Sequence, residues 1–269
     1  MPTAHLDLPF HPDDPSLLLD LHLPDGPPAP VVVWIHGGGW RSGSRQGGPA
    51  LRLVERGYTV ASLSYTFSHQ ALFPRQVLDV LQALRWLVGS ASTYGYLADK
   101  FVLWGHSAGG HLAAWLGCLR GSPIVGQWTP ELEACRGFES VVKRVVGVVD
   151  FCGPTDFLAM DDFPGALRHE APDSPESQLV GGPIQEQTAR VQLANPLTFV
   201  NPGSSPFLIC HGDADLFVPI DQSRRLYLAL RQLGVQAELV EIPAAGHVFR
   251  TGEIMNKIEG FVRDYSGDR

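Results

Sequence analysis

Short apolar runs alternate with stretches of helical character along most of the chain. Val31–Ile35 is fully apolar, which is typical of a strand covered on both faces of a parallel sheet. Gln222–Leu233 is instead interpreted as a helix, and it ends at Gly234, a residue type that commonly terminates helices. Strands that alternate with helices in this way predict a mostly parallel sheet flanked by helices.

The predicted elements run from one end of the chain to the other. The strands are His5–Leu8, Leu17–Leu23, Val31–Ile35, Tyr58–Leu63, Phe101–Trp104, Val141–Val149, Pro206–Cys210 and Ala237–Ile242. The helices are Pro49–Arg56, Phe73–Val88, Ala108–Leu119, Gln222–Leu233 and Gly252–Tyr265. Since single α/β domains commonly reach 269 residues, we predict one domain over residues 1–269.

The stretch from about Gly153 to Gly203 departs from this rhythm. It is rich in Pro, Asp, Ser and Gly, and its periodicity is weak. Segments of this length without clear periodicity inside a compact domain are usually functional insertions. We therefore predict a cap-like insertion, at about 153–203, that lies over the active site.

Composition and charge narrow the class of protein. The chain is 44% hydrophobic and 18% charged, which is ordinary for a globular enzyme, and its formal net charge is −8. That charge disfavours nucleic acids and anionic membranes as partners. Residues 1–15 lack the features of a secretory signal, and no apolar run approaches the length of a membrane span. A cytoplasmic location is therefore expected.

The four cysteines do not suggest a metal or redox site. Cys118, Cys135, Cys152 and Cys210 form no CxxC pair. Cys210 lies in an apolar run that predicts a buried strand, which favours buried free thiols over a disulfide bond. We expect neither a metal nor another cofactor.

A candidate nucleophile lies between a strand and a helix. The segment Gly105–Gly109 matches GxSxG, with Ser107 at its centre, and it joins Phe101–Trp104 to Ala108–Leu119. A nucleophile elbow requires this strand–turn–helix setting, because the serine must stand on a sharp turn. Side chains at Gly105 and Gly109 would clash with the neighbouring strand and helix. The alternative is a glycine-rich turn with a structural role only, in which the serine has no catalytic function.

A glycine-rich loop follows the strand Val31–Ile35. Its sequence, His36–Trp40, is HGGGW, and glycines allow backbone N–H groups to approach the negative oxygen formed during ester or amide hydrolysis. We predict Gly38 and Gly39 as oxyanion donors, with Ala108 as a further donor because it follows the nucleophile. A phosphate-binding loop is the alternative, but no GxGxxG or GxxxxGK[ST] pattern is present. His36 is expected to brace the loop.

The acid and the base are expected after the last two strands. Asp215 is predicted to be the acid that fixes the tautomer of the base. Asp213 is the rival, although an Asp after glycine often braces a turn instead. His247 is predicted to be the base, since it follows the strand Ala237–Ile242. Along the chain these residues occur in the order Ser, Asp, His, which is the order that accompanies a GxSxG nucleophile elbow. His111, one helical turn after Ser107, is expected to be a packing residue.

With these residues assembled, the chain resembles the α/β-hydrolase superfamily. More narrowly, it is similar to the esterase/lipase branch with hormone-sensitive-lipase-like and bifunctional feruloyl/acetyl-xylan esterase-like enzymes. The resemblance rests on HGGGW at 36–40, GHSAGG at 105–110, HGDADLFVP at 211–219 and GH at 246–247, with softer matches at 175–184 and 194–200. It implies an oxyanion role for Gly38 and Gly39, with the N–H of Trp40 as a secondary candidate. Relatives often carry an Arg after the tyrosine at position 65, where this chain has Thr66.

This resemblance implies a serine carboxylesterase acting on small or short-acyl esters, with acetyl or aromatic acyl groups as candidates. An arylformamidase of the kynurenine formamidase type is the alternative, and a non-catalytic small-molecule receptor is a third possibility. The presence of Ser107, Asp215 and His247 disfavours the receptor. Trp40, Phe217 and Val248 are predicted to line the substrate pocket because they neighbour the oxyanion loop, the acid and the base.

Overall fold

A single eight-stranded sheet forms the centre of the molecule. The computed structural model describes residues 1–122, 130–163, 165–249 and 252–267. The strands are β1 (Thr3–Pro9), β2 (Leu18–Leu23), β3 (Pro30–Ile35), β4 (Thr59–Leu63), β5 (Leu97–His106), β6 (Val145–Phe151), β7 (Phe207–Gly212) and β8 (Ala237–Ile242). Their order is β1-β2-β4-β3-β5-β6-β7-β8. The pairs β1–β2 and β2–β4 are antiparallel, and the other pairs are parallel, so the predicted mostly parallel sheet is confirmed.

Helices cover both faces of this sheet. They are α1 (Arg75–Tyr94), α2 (Ala108–Leu119), α3 (Glu139–Val142), α4 (Pro175–Val180), α5 (Thr188–Ala194), α6 (Asp221–Gln232) and α7 (Met255–Ser266). Cores lie on both sides of the sheet: α1, α2 and α6 contribute to one of them, and α7 contributes to the other. Among the described residues, no helix is both long and apolar enough to cross a membrane.

The central strand β3 shows why the sheet has this form. All six of its residues are buried. Val31, Val33 and Ile35 pack into one core, while Val32 and Trp34 pack into the other. Alternate side chains of a strand point to opposite faces, so a continuous apolar run requires cover on both sides.

Several predicted elements differ from those in the structure. The strand predicted at Val141–Val149 is divided between α3 and β6, so its first residues complete a short helix. The predicted helix Pro49–Arg56 is a 3₁₀ turn at Pro49–Leu53. Helix α1 continues beyond Val88 to Tyr94, where Gly95 adopts a left-handed conformation with φ of 79°. Short apolar runs carry little information about helix or strand, because both can be fully buried.

The segment 153–203 packs onto helix α2 beside the sheet. Apart from residue 164, which lies outside the described residues, it contains α4, α5 and 3₁₀ turns at Phe157–Asp162 and Pro196–Phe199. Two side chains of α2 bond to its backbone: Trp115 Nε1 donates to Leu193 O at 2.9 Å, and His111 Nε2 donates to Ala194 O at 2.8 Å. These buried hydrogen bonds fix the segment to the helix that follows Ser107.

All four cysteines are buried and unpaired, as the sequence predicted. Burial raises the pKa of each thiol, to about 12 for Cys135. A thiol with so high a pKa stays protonated at neutral pH, and a protonated thiol is a poor nucleophile and metal ligand.

Candidate active site

Ser107 occupies a strained turn between β5 and α2. Its φ of 55° and ψ of −120° are rare for a residue with a side chain. A Cβ atom on Gly105 would lie 2.1 Å from Gly109 O, and one on Gly109 would lie 2.1 Å from Ile35 O. The glycines are therefore required by close backbone approach, and the turn raises Ser107 out of the sheet at the carboxyl end of β5.

His247 and Asp215 are hydrogen-bonded to each other. His247 Nδ1 lies 2.7 Å from Asp215 Oδ2, although 32 residues separate them in sequence. The other carboxylate oxygen of Asp215 accepts the N–H groups of Phe217 at 2.8 Å and Val218 at 3.0 Å. Burial favours the neutral acid, but hydrogen bonds from His211 and His247 outweigh it and hold the pKa of Asp215 well below its usual range.

His211 is a second histidine beside Asp215, and the sequence reasoning gave it no role. Its Nε2 lies 3.2 Å from Asp215 Oδ2 and 2.9 Å from Val218 O, while its Nδ1 lies 2.7 Å from Ser223 Oγ. Because both partners of Nε2 are acceptors, the proton of a neutral ring resides on that nitrogen. Its contact with Asp215 could have been predicted from its position, since His211 lies at the end of a strand and four residues before the predicted acid.

The rival carboxylate, Asp213, braces the neighbouring loop. Its Oδ1 accepts the N–H of Ala244 at 2.6 Å, and the backbone N–H of Ala214 donates to Ala245 O at 2.9 Å. These bonds tie the loop after β7 to the loop that carries His247. Of the two aspartates, Asp215 is therefore the one hydrogen-bonded to the predicted base.

The glycine loop lies directly against Ser107. A Cβ atom on Gly37 would lie 3.3 Å from Ser107 Cβ. Gly38, Gly39 and Ala108 line the same cavity as Ser107. No backbone hydrogen bond among the described residues uses the N–H of Gly38 or Gly39, so both donors remain available to a ligand.

His36 braces this loop from behind. Its Nδ1 donates to Gly37 O at 2.7 Å, and its ring stacks on Tyr65 with 4.5 Å between centroids. The Tyr65 hydroxyl in turn donates to His36 O at 3.1 Å. Burial lowers the pKa of His36, so the ring is a neutral packing group. The brace expected of His36 is present.

Trp40 is a buried residue that lines the cavity of Ser107. It is 1% exposed and has a φ of 56°. Its Nε1 donates to His111 Nδ1 at 3.2 Å, which is possible because His111 Nε2 carries the proton that bonds to Ala194 O. Burial lowers the pKa of His111 to about 4, which keeps this ring neutral. The glycine loop, α2 and α5 are thus linked through two aromatic side chains.

The cavity around Ser107 has a volume of about 340 Å³. It is lined by Gly38, Gly39, Trp40, Arg41, Ser42, His106, Ser107, Ala108, Pro154, Leu167, His169, Pro175, Glu176, Phe217, Val218 and His247. Phe217 lies here as predicted. Val248 does not: it is 82% exposed and lines a separate cavity of about 650 Å³ with Trp34 and Phe249. A contact between Val248 and the substrate therefore stays a prediction, and it would require the substrate to reach this second cavity, which His106 also lines.

His106, Cys152 and His247 form the group in the described residues that could hold a metal ion. Their ligand atoms all lie within 4.8 Å of one another. His106 Nε2 donates to the backbone oxygen of His247 at 3.0 Å, and the Cys152 thiol approaches the same oxygen at 3.5 Å. Burial lowers the pKa of His106 and raises that of Cys152. Both side chains therefore serve first to position the loop of His247.

Comparison with known proteins shows what the chain as a whole is similar to. A family model described as BD-FAE matches residues 19–230. Esterase LipC of Mycobacterium tuberculosis is 32% identical over 96% of this chain, and the chain spans 64% of the length of LipC. A truncated carbohydrate esterase from gut microbiota superposes with a TM-score of 0.84 at 27% identity, covering 97% of this chain and 95% of that chain. A bifunctional GH43-CE protein of Bacteroides eggerthii gives 0.83 at 31% identity, covering 97% and 38%. The predicted α/β-hydrolase fold is confirmed.

Proposed function

The chain belongs to the BD-FAE family, and on that premise we propose that it is a serine carboxylesterase acting on small, short-acyl esters through an acyl-enzyme. One observation carries the proposal. Ser107, on its strained turn, lines the same cavity as His247, whose Nδ1 is 2.7 Å from Asp215. This arrangement supports activation of the Ser107 hydroxyl by a histidine that a carboxylate orients.

The proposed reaction begins with Ser107. Since His247 Nδ1 bonds to Asp215, the lone pair on Nε2 takes the hydroxyl proton as Oγ attacks the ester carbonyl carbon. The bond from that carbon to the alcohol oxygen then breaks, and His247 returns the proton to the leaving alcohol. Water repeats the attack on the acyl-enzyme and releases the carboxylic acid. The Asp215 carboxylate stabilises the imidazolium formed in each half of the reaction.

The oxyanion of each tetrahedral intermediate is assigned to Gly38, Gly39 and Ala108. Their location in the cavity of Ser107 and the available N–H groups of the loop support this role. Trp40 is the secondary donor through its backbone N–H, while its indole is already bonded to His111. Loss of one such donor typically raises the barrier by about 3–4 kcal/mol.

The segment 153–203 is proposed as a cap within a single domain. Pro154, Leu167, His169, Pro175 and Glu176 all lie in it, and all line the cavity. Pro175 also packs against the oxyanion loop, since a Cβ atom on Gly39 would lie 3.3 Å from Pro175 Cβ. The segment thus supplies much of the wall that surrounds a small-molecule ester.

Ser107→Ala tests the proposal most directly. Turnover of p-nitrophenyl acetate should fall by at least about 10³-fold, because the attacking hydroxyl is lost. Circular dichroism and the melting temperature show whether the variant is folded. A folded variant with more than about a hundredth of wild-type activity contradicts the assignment.

A substrate comparison separates the esterase from an arylformamidase. The wild-type enzyme should have a higher kcat/KM for phenyl acetate than for N-formylkynurenine. The reverse order would assign it to formamide hydrolysis, and binding of either compound without turnover would point to a receptor.

A further inference from the structure

A buried pair of a carboxylate and an imidazole side chain lies in the cavity wall. Glu176 is 3% exposed and His169 is 2% exposed, and Glu176 Oε2 lies 3.1 Å from His169 Nδ1. Both residues line the cavity that contains Ser107. Neither has a role in the reaction proposed above.

The contact with Glu176 favours the protonated form of His169. Burial by itself lowers the pKa of His169, but contact with Glu176 and the charge of Asp161 outweigh it and raise that pKa. The His169 ring also lies close to the backbone of Phe217, in the loop that carries Asp215. The pair therefore lies between the segment 153–203 and that loop.

Helix α4 does not depend on the carboxylate at position 176 for its N-terminal cap. Helix α4 is already capped by Ser174, whose Oγ accepts the N–H of Ser177 at 3.0 Å and donates to His169 O at 2.7 Å. Within the described residues, Glu176 Oε2 and His169 Nδ1 have no hydrogen bond of good geometry. Burying such a pair costs free energy, and apolar residues of similar volume are often as stable. A buried polar group of this kind calls for a functional explanation.

The position of the pair indicates which ligand group it meets. Pro175 contacts the oxyanion loop at Gly39, so Glu176 lies beside the proposed site of the ester carbonyl. A carboxylate only accepts hydrogen bonds, and therefore it binds donors. His169 already neutralises the charge of Glu176, and Arg41 lines the same cavity, so a cationic ligand gains little there. Neutral hydroxyl groups fit this wall best.

We propose that Glu176, held in place by His169, is a specificity-determining residue that accepts hydrogen bonds from hydroxyl groups on the alcohol part of the ester. The inference rests on the proposed esterase function. Hydrogen bonding by Glu176 would make esters of polyhydroxylated alcohols better substrates than esters of plain alkanols with the same acyl group.

Two acetate esters that differ only in hydroxyl groups test this role. They are 2,3-dihydroxypropyl acetate and propyl acetate. In the wild-type enzyme, kcat/KM should be about tenfold or more higher for the hydroxylated ester, which corresponds to a hydrogen bond with a charged acceptor. Glu176→Gln should remove most of this preference, because kcat/KM should fall more for the hydroxylated ester than for propyl acetate. His169→Asn should reduce the preference in the same direction.

Glu186→Gln is the matched control, since Glu186 is an exposed carboxylate of the same segment outside the cavity. It should leave the preference unchanged. Equal activity of the wild-type enzyme on both esters overturns this inference and leaves the esterase assignment intact. An equal loss on both esters in Glu176→Gln shows a structural role and also overturns it. If the wild-type enzyme hydrolyses neither these esters nor p-nitrophenyl acetate, the proposed function itself fails.

Discussion

The imidazole of His211 lies 3.2 Å from the carboxylate of Asp215, four residues further along the chain. His211 is fully buried, and it also bonds to Val218 O and Ser223 Oγ. The Asp215 carboxylate, which bonds to His247, is therefore also held in position by the buried side chain of His211. This second histidine, together with the backbone N–H groups of Phe217 and Val218, keeps Asp215 ionised.

The two neighbouring aspartates should respond differently to the same substitution. Asp215→Asn should lower kcat by about 10³–10⁴-fold, because His247 loses the charge that fixes its tautomer and stabilises the imidazolium. Asp213→Asn keeps an oxygen that can accept the N–H of Ala244, so its effect on kcat should be less than about tenfold. Steady-state kinetics and melting temperatures of both variants decide the matter. A larger loss of turnover in Asp213→Asn would reverse the assignment.

Short acyl chains should be turned over better than long ones. The cavity of about 340 Å³ lies at the small end of ligand pockets, and Trp40 and Phe217 are among its walls. We expect kcat/KM to be highest for esters with roughly two to four acyl carbons, with a graded decline of about 1–3 kcal/mol per methylene or less. A p-nitrophenyl ester series measures it. A maximum at ten carbons would show that the chain extends past His106, which lines both cavities, into the larger one.

Activity should not require a metal ion. In the proposed reaction Ser107 supplies the nucleophile and the glycine loop supplies the hydrogen-bond donors, so neither task needs a cation. EDTA should leave turnover of p-nitrophenyl acetate unchanged. Recovery of EDTA-inactivated enzyme by an added divalent cation would contradict the prediction.

Titration of Asp150 should make the free energy of unfolding fall as the pH rises, which is the opposite of the usual effect of a carboxyl group. This side chain is fully buried at the end of β6, and burial raises its pKa to about 6, although its Oδ1 accepts the N–H of Gly153. Since the unfolded value is near 3.9, the folded protein binds more protons between about pH 4 and 6. Its contribution to stability is therefore full below pH 4 and is lost as the pH rises through 6.

Asp150→Asn provides the test. The free energy of unfolding of the variant relative to wild type should rise by roughly 2–3 kcal/mol between pH 4 and 7.5, because asparagine cannot ionise. Urea unfolding of both proteins at both pH values measures this change. The test is how the difference between variant and wild type varies with pH, because a difference of constant size could come from packing alone. A difference that stays constant with pH would show that Asp150 titrates normally in the folded protein.

Local patterns were enough to predict the sheet and its flanking helices. The apolar run at Val31–Ile35 requires cover on both faces, and the structure provides it. The division of 141–149 between α3 and β6 was not predictable in this way, because consecutive apolar residues fit a buried helix or a buried strand equally well. The environment around the chain, rather than its local sequence, selects between them.

The sequence by itself determined the chemistry near Ser107, since glycines at 105 and 109 have a direct physical reason in the sharp turn. It also placed Asp215 and His247 on the last two loops. Only the tertiary structure decided which groups meet: His211 beside Asp215, Glu176 beside His169, and Val248 in another cavity. Such contacts depend on side-chain direction and on the packing of segments far apart in the chain. Local periodicity carries no information about either, because it describes only how each segment is buried.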